Sequence, residues 1–240
     1  MKKFIWILIL FGYSFLGYSQ DTAYFDQNMT LVDKANFTYF KIIEKTSDSY
    51  VVNTYYSNGN PYSIVNYKSK KLKKENGSAV YYYENATISG EGMYKNEKRN
   101  GEWNFYFKNG VRSGKVIFDK GEVFSANYWN EDKSEQKDLS KTNQIPMFIG
   151  GKQALLNFLS ENIKYPENSK ANNISGKVYV RFQISETGKV TNTHILISVS
   201  EELDKEALRV INLMPDWRAG IQYNRKVKVW YRLPISFSLN

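Results

Sequence analysis

One histidine, no cysteine and a short acidic cluster are the chemistry-bearing residues of this 240-residue chain. With no cysteine, disulfides, thiolate metal sites and cysteine nucleophiles are excluded, and so is an acylated-cysteine lipid anchor. A zinc centre or a histidine-based triad would have to be built around His194 alone. His194 follows Thr193 in a strand-like run, which reads as a sheet residue and not a general base. Glu201, Glu202 and Asp204 stand at the start of a helical pattern, where carboxylates complement the positive end of the helix dipole. No HExxH, P-loop or GxSxG motif is present. The reading is of a non-enzymatic protein with no metal and no cofactor.

The remaining candidates are binding residues. The formal charge of +9, from 33 Lys+Arg against 24 Asp+Glu, suits either solubility or an anionic partner. "KSKKLKK" (68–74) gathers Lys68, Lys70, Lys71, Lys73 and Lys74 as a solvated loop or a contact for anionic lipid. No aromatic residue interrupts it, so the stacking that binds single-stranded nucleic acid is absent there. Trp217, in "LMPDWRAG" (213–220), lies just after a helix stopped by Pro215 and reads as a packing anchor and not a ligand contact.

Four segments position these residues. "MKKFIWILILFGYSFLGYSQ" has a basic start, a short apolar run and small residues at Gly17 and Ser19. It reads as a cleavable signal peptide (1–19) cut between Ser19 and Gln20, placing the chain in the periplasm. An uncleaved anchor facing the periplasm is the alternative. Residues 20–130 form an all-β domain of hairpin repeats. "YYSNGNP", "YYYENAT" and "FYFKNGV" each carry an aromatic pair before a polar turn, with Asn58, Asn85 and Asn109 spaced by 27 and 24 residues. "GEWNFYFKNG" places Trp103, Phe105 and Phe107 on one face of a strand. These units resemble MORN-type repeats. Residues 131–146, charged and polar, read as an extended linker.

Residues 147–240 read as an α+β domain. Leu155, Phe158, Leu159 and Ile163 mark one helix, and 198–214, with Ser198 and Glu201 as a capping box, a second. Val178, Val180, Phe182 and Ile184 alternate on a first strand, and a second returns from Val190. Val227, Val229, Tyr231, Leu233, Ile235 and Phe237 alternate on a third. Pro234 within that last strand requires a sheet edge or a bulge, because proline cannot donate to a ladder. An edge leaves backbone groups open to an added strand.

"KYP", "GKVYVRFQISETGKVTN", "LDKEALRVINLMPDW" and "YRLPISFSL" occur in the order of the C-terminal domain of TonB-family energy transducers, which 147–240 resembles. The lead-in "GGKQALLNFLSENIKYP" is similar to that of Bacteroidetes-type members. The family pattern has a proline-containing turn after the tryptophan, where this chain has Arg218-Ala219. The resemblance implies two helices on a three-stranded antiparallel sheet that binds the TonB box of outer-membrane TonB-dependent receptors by strand addition, in energised transport. Carried over, the contacts fall on Lys164, Tyr165 and Pro166, and on Lys226, Val227, Lys228, Val229, Trp230, Tyr231, Arg232 and Leu233. Inner-membrane motor proteins are partners only if the start of the chain is retained as an anchor. Without one, the chain is a soluble periplasmic interaction or lipid-binding repeat protein that transmits no force. Only Pro61 lies in the N-terminal half, so a proline-rich spacer is missing.

Overall fold

The computed structural model describes residues 22–239. The expected signal segment and its cleavage point lie outside them. The first half is one nine-stranded antiparallel meander, each strand paired with its sequence neighbours. Its strands are β1 (Ala23–Phe25), β2 (Tyr39–Lys45), β3 (Tyr50–Tyr56), β4 (Pro61–Tyr67), β5 (Glu75–Tyr82), β6 (Ile88–Lys95), β7 (Lys98–Tyr106), β8 (Arg112–Asp119) and β9 (Glu122–Tyr128).

The repeat is visible in the hydrogen bonds. At each expected turn the asparagine Oδ1 accepts from the N–H two residues on, Asn58 from Asn60, Asn85 from Thr87 and Asn109 from Val111. This side chain mimics a backbone turn, and the next residue takes positive φ: Gly59, Ala86 and Gly110. Successive units are tied together by Asn60 Nδ2 donating to the Glu84 carbonyl at 2.7 Å and Asn85 Nδ2 to that of Lys108 at 3.2 Å. Two further turns share the backbone pattern. Asp26 N and Asn130 N each donate to the carbonyl four residues on, as Tyr56, Tyr83 and Phe107 do. Asp132 accepts from Ser134 N, and Met29 and Lys133 take the positive φ.

One face of the sheet buries Val65, Ala79, Trp103, Phe105, Val116, Phe118 and Tyr128. Trp103 and Phe105 are buried as expected, whereas Phe107 lies beyond the end of β7 and is only partly covered. Glycines opposite the rings make this possible. A Cβ on Gly92 would sit 2.4 Å from the Trp103 ring, whose Nε1 is fixed by donation to the Met93 carbonyl at 3.0 Å. Gly92→Ala is therefore expected to destabilise the protein by about 1–3 kcal/mol through overpacking, read as a lowered thermal midpoint. An unchanged midpoint would mean the ring is free to move.

The second half holds helices α1 (Gly151–Asn162), α2 (Glu167–Ala171) and α3 (Glu201–Asn212). Its strands are β10 (Gly176–Ile184), β11 (Val190–Ile197), β12 (Gly220–Gln222), β13 (Arg225–Val227) and β14 (Val229–Phe237). Three strands form the sheet β11-β10-β14, and β12-β13 form a separate hairpin. Leu155 and Leu159 from α1, and Leu203, Ala207, Val210 and Ile211 from α3, cover the buried row Val178, Val180, Phe182 and Ile184. Trp217 joins this core, edge-on to Phe148, Phe182 and Tyr231.

Several expectations are corrected. The helix cap is Ser200, whose Oγ accepts from Leu203 N at 3.3 Å, not Ser198. A short third helix, α2, starts after Pro166. The last strand is interrupted at Lys228, so Lys226 and Val227 belong to the hairpin and not to the sheet. The segment read as an extended linker is folded back. It completes the last repeat turn, and Gln144 and Met147 then bridge to Ile221 and Arg218. Lys141 N and Thr142 N donate to the Asp138 and Leu139 carbonyls, and Gln144 and Met147 exchange backbone hydrogen bonds with Ile221 and Arg218, which removes the reach of a free tether.

Candidate binding edge and interdomain cleft

Strand β14 is the outer strand of its sheet and pairs with β10 over nine consecutive residues without a register shift, Gly176↔Phe237 to Ile184↔Val229. The direction of its backbone follows from the neighbouring hairpin. Ser185 N donates to the Lys189 carbonyl, so odd-numbered residues of β10 turn their backbone toward β11 and even-numbered ones toward β14. Thr191 Oγ1, donating to the Gln183 carbonyl at 3.2 Å, agrees. Through the register, Val229, Tyr231, Leu233 and Ile235 face β10, and Trp230, Arg232, Pro234 and Ser236 direct their backbone outward. Pro234 thus costs the ladder nothing and shields one outward position. Trp230 and Arg232 keep an outward N–H and C=O.

The carried-over residues therefore divide. Trp230, Tyr231, Arg232, Leu233 and Val229 lie on the edge strand; Lys226, Val227 and Lys228 precede it beside a cleft. Lys164, Tyr165 and Pro166 sit near the far end, where the Tyr165 ring meets Phe237 at 5.7 Å and its hydroxyl donates to the Ile174 carbonyl. Lys164 N donates to Glu206 Oε1 at 2.7 Å, which holds this segment against α3. From one end of β14 to the other is about 27 Å at ~3.4 Å per residue.

The cleft, of about 610 Å³, separates the start of β14 from the repeat sheet. The repeat side offers three phenols in mutual contact: Tyr39–Tyr62 at 4.8 Å, Tyr56–Tyr62 at 5.3 Å and Tyr39–Tyr56 at 5.5 Å between ring centroids. Burial pushes the Tyr39 hydroxyl up to about 12 and raises Tyr56 and Tyr62 as well. The shelf is accordingly uncharged at neutral pH. The other side offers Arg181, stacked over Trp230 at 4.3 Å, with exposed Lys226 and Lys228. The His194 ring lies edge-on to Trp230 at 5.8 Å and its Nδ1 meets the Asn192 carbonyl. Among the described residues, no His, Asp or Glu cluster could hold a metal ion. None of their helices is long and apolar enough to cross a membrane. The lysine loop 68–74 joins β4 to β5, at the opposite end of the strands from the asparagine turns that border the cleft.

Residues that the sequence reading did not single out join the halves. The β12–β13 hairpin turns at Tyr223 and Asn224, both at positive φ, and its tip enters the repeat core. Tyr223 stacks on Phe105 at 3.8 Å, and its hydroxyl accepts from Arg99 Nη1 at 2.5 Å. Arg225 donates to the Ser89 carbonyl and to the Tyr83 hydroxyl, and Lys108 pairs with Glu186 across the cleft. Asn224 before a basic residue was the one available turn signal.

Two solved structures are similar to the C-terminal half, both solution structures of the Helicobacter pylori TonB C-terminal domain. The longer (its residues 179–285) is 26% identical, with 35% of this chain and 77% of that one covered and a TM-score of 0.29. The shorter (194–285) is 23% identical, with 36% and 90% covered and a TM-score of 0.28. No curated protein matches the chain. Residues 161–239 match the family model for the Gram-negative bacterial TonB protein C-terminal domain.

Proposed function

We propose that this is a cell-envelope protein whose C-terminal domain captures an extended segment of an outer-membrane TonB-dependent receptor as a further strand on β14, in energised transport. The observation that carries the reading is the free edge of β14, with Trp230 and Arg232 presenting outward backbone donors and acceptors beside an unbroken inner ladder. The TonB C-terminal match over 161–239 supports it. Lys164, Tyr165 and Pro166 serve as a second contact near the far end of the strand. The repeats, read as MORN-like, act as a platform held to that domain by the β12–β13 hairpin.

The parity of β14 supplies the test. Arg232→Pro removes an outward N–H without touching the inner ladder and is expected to weaken receptor-segment binding about tenfold, with the thermal midpoint kept. Tyr231→Pro removes an inward donor and is expected to lower stability first. Calorimetry against the receptor segment reads the first and thermal unfolding the second. Equal affinity for a folded Arg232→Pro variant would sink strand addition at this edge.

A further inference from the structure

The repeat domain lies beside the start of the same edge. Moving from Trp230 toward Lys226, a strand added to β14 runs out of sheet and meets the cleft, whose opposite wall is the Tyr39–Tyr56–Tyr62 shelf. The charges there are unbalanced. Lys108 is committed to Glu186, and Arg225 is held by carbonyls and the Tyr83 hydroxyl. Arg181, Lys226 and Lys228 form no ion pair with the described residues, and Glu84 is the other carboxylate lining the cleft. The neutral phenols present hydroxyls and ring faces without adding negative charge.

We infer that this cleft is a specificity subsite for a carboxylate-bearing flank of the docked peptide, with the cationic wall from the C-terminal domain and the aromatic wall from the repeats. The inference rests on the strand-addition reading, because the edge of β14 delivers the flank. Lys226 and Lys228 meet the carboxylate; the tyrosine shelf limits how bulky the flank can be. Exposed lysines beside an open cleft act at moderate range, so the preference weakens as salt rises. The repeat domain then contributes directly to which peptide is chosen.

A displayed library of random decapeptides, selected on the full chain, tests this. Peptides whose capture is lost with Arg232→Pro are expected to carry Asp or Glu at one end, several-fold above the unselected library. Lys226→Gln with Lys228→Gln, both at exposed positions, is expected to return that enrichment to background while peptides are still captured. Arg232-dependent peptides without acidic enrichment, or enrichment that survives the double substitution, overturn the subsite and leave strand addition standing. Acidic peptides captured independently of Arg232 sink strand addition and, with it, delivery of a flank along β14.

Discussion

Trp217→Ala is expected to cost about 3–5 kcal/mol, the range for removing a buried tryptophan, and to lower the midpoint of thermal or chemical unfolding accordingly. Trp217 is only 4% exposed and touches Phe148, Phe182 and Tyr231, so its loss opens a cavity where α1, the sheet and the lead-in segment meet. Its backbone is equally fixed: Trp217 N donates to the Gly188 carbonyl at 2.8 Å, and a Cβ on Gly188 would fall 2.0 Å from the Trp217 carbonyl oxygen. The surroundings cannot relax into the space. Trp217→Phe separates this role from ligand contact. The indole Nε1 is buried without a hydrogen-bond partner among the described residues. Deleting it removes an unsatisfied donor worth about 1–3 kcal/mol, which offsets part of the lost ring area. The phenylalanine variant should therefore stay close to wild type in stability and in peptide binding. Binding lost while stability is kept would make Trp217 a contact residue and not an anchor.

What the sequence revealed depended on how local the signal was. The repeat hairpins were legible because an aromatic pair, an asparagine and a small or positive-φ residue recur within seven positions. The outer turns escaped because Met29 and Lys133 occupy the left-handed position without glycine's signature. Taking 131–146 as a linker followed from the same omission, since Asn130 to Ser134 is a repeat turn written in charged residues. Pro234 narrowed its strand to an edge or a bulge from its chemistry alone, and the strand order and unshifted register make it the edge. The β12–β13 hairpin was masked for the opposite reason: Val227 and Val229 alternate straight through the break at Lys228, and Tyr223 beside Asn224 weakens the one turn signal there. Nor could the cleft be read, because its walls are joined by contacts such as Arg99–Tyr223, 124 residues apart. Period and turn chemistry carry no information at that range.

Tyr223→Ala should separate the two halves energetically. The ring is sandwiched into the repeat core, stacked on Phe105 and edge-on to Phe118 at 6.3 Å. Its hydroxyl is the partner of Arg99, whose guanidinium lies 4.6 Å from the Trp103 ring centroid. Alanine removes the ring and leaves a half-buried cation facing a hole, and the expected cost is about 3–5 kcal/mol. Tyr223→Phe keeps the stack and strips only the hydroxyl, for about 1–3 kcal/mol, with the aromatic rings still holding Arg99. The shape of the denaturation curve carries more information than its midpoint. With Tyr223 of the hairpin tip seated in the repeat core, the repeat sheet and the C-terminal domain are coupled and should unfold in one transition. With alanine at the tip they should unfold in two, seen as non-coincident far-ultraviolet circular dichroism and tryptophan fluorescence curves. That outcome also bears on force. A pull on a peptide added to β14 passes through Lys228 into the hairpin and from there into the repeat sheet, so an uncoupled tip would leave β14 tied to the repeats through the 138–147 segment and polar contacts such as Lys108–Glu186. A single transition at the wild-type midpoint for Tyr223→Ala would mean that the hairpin does not join the two halves and that the cleft is not a fixed structure.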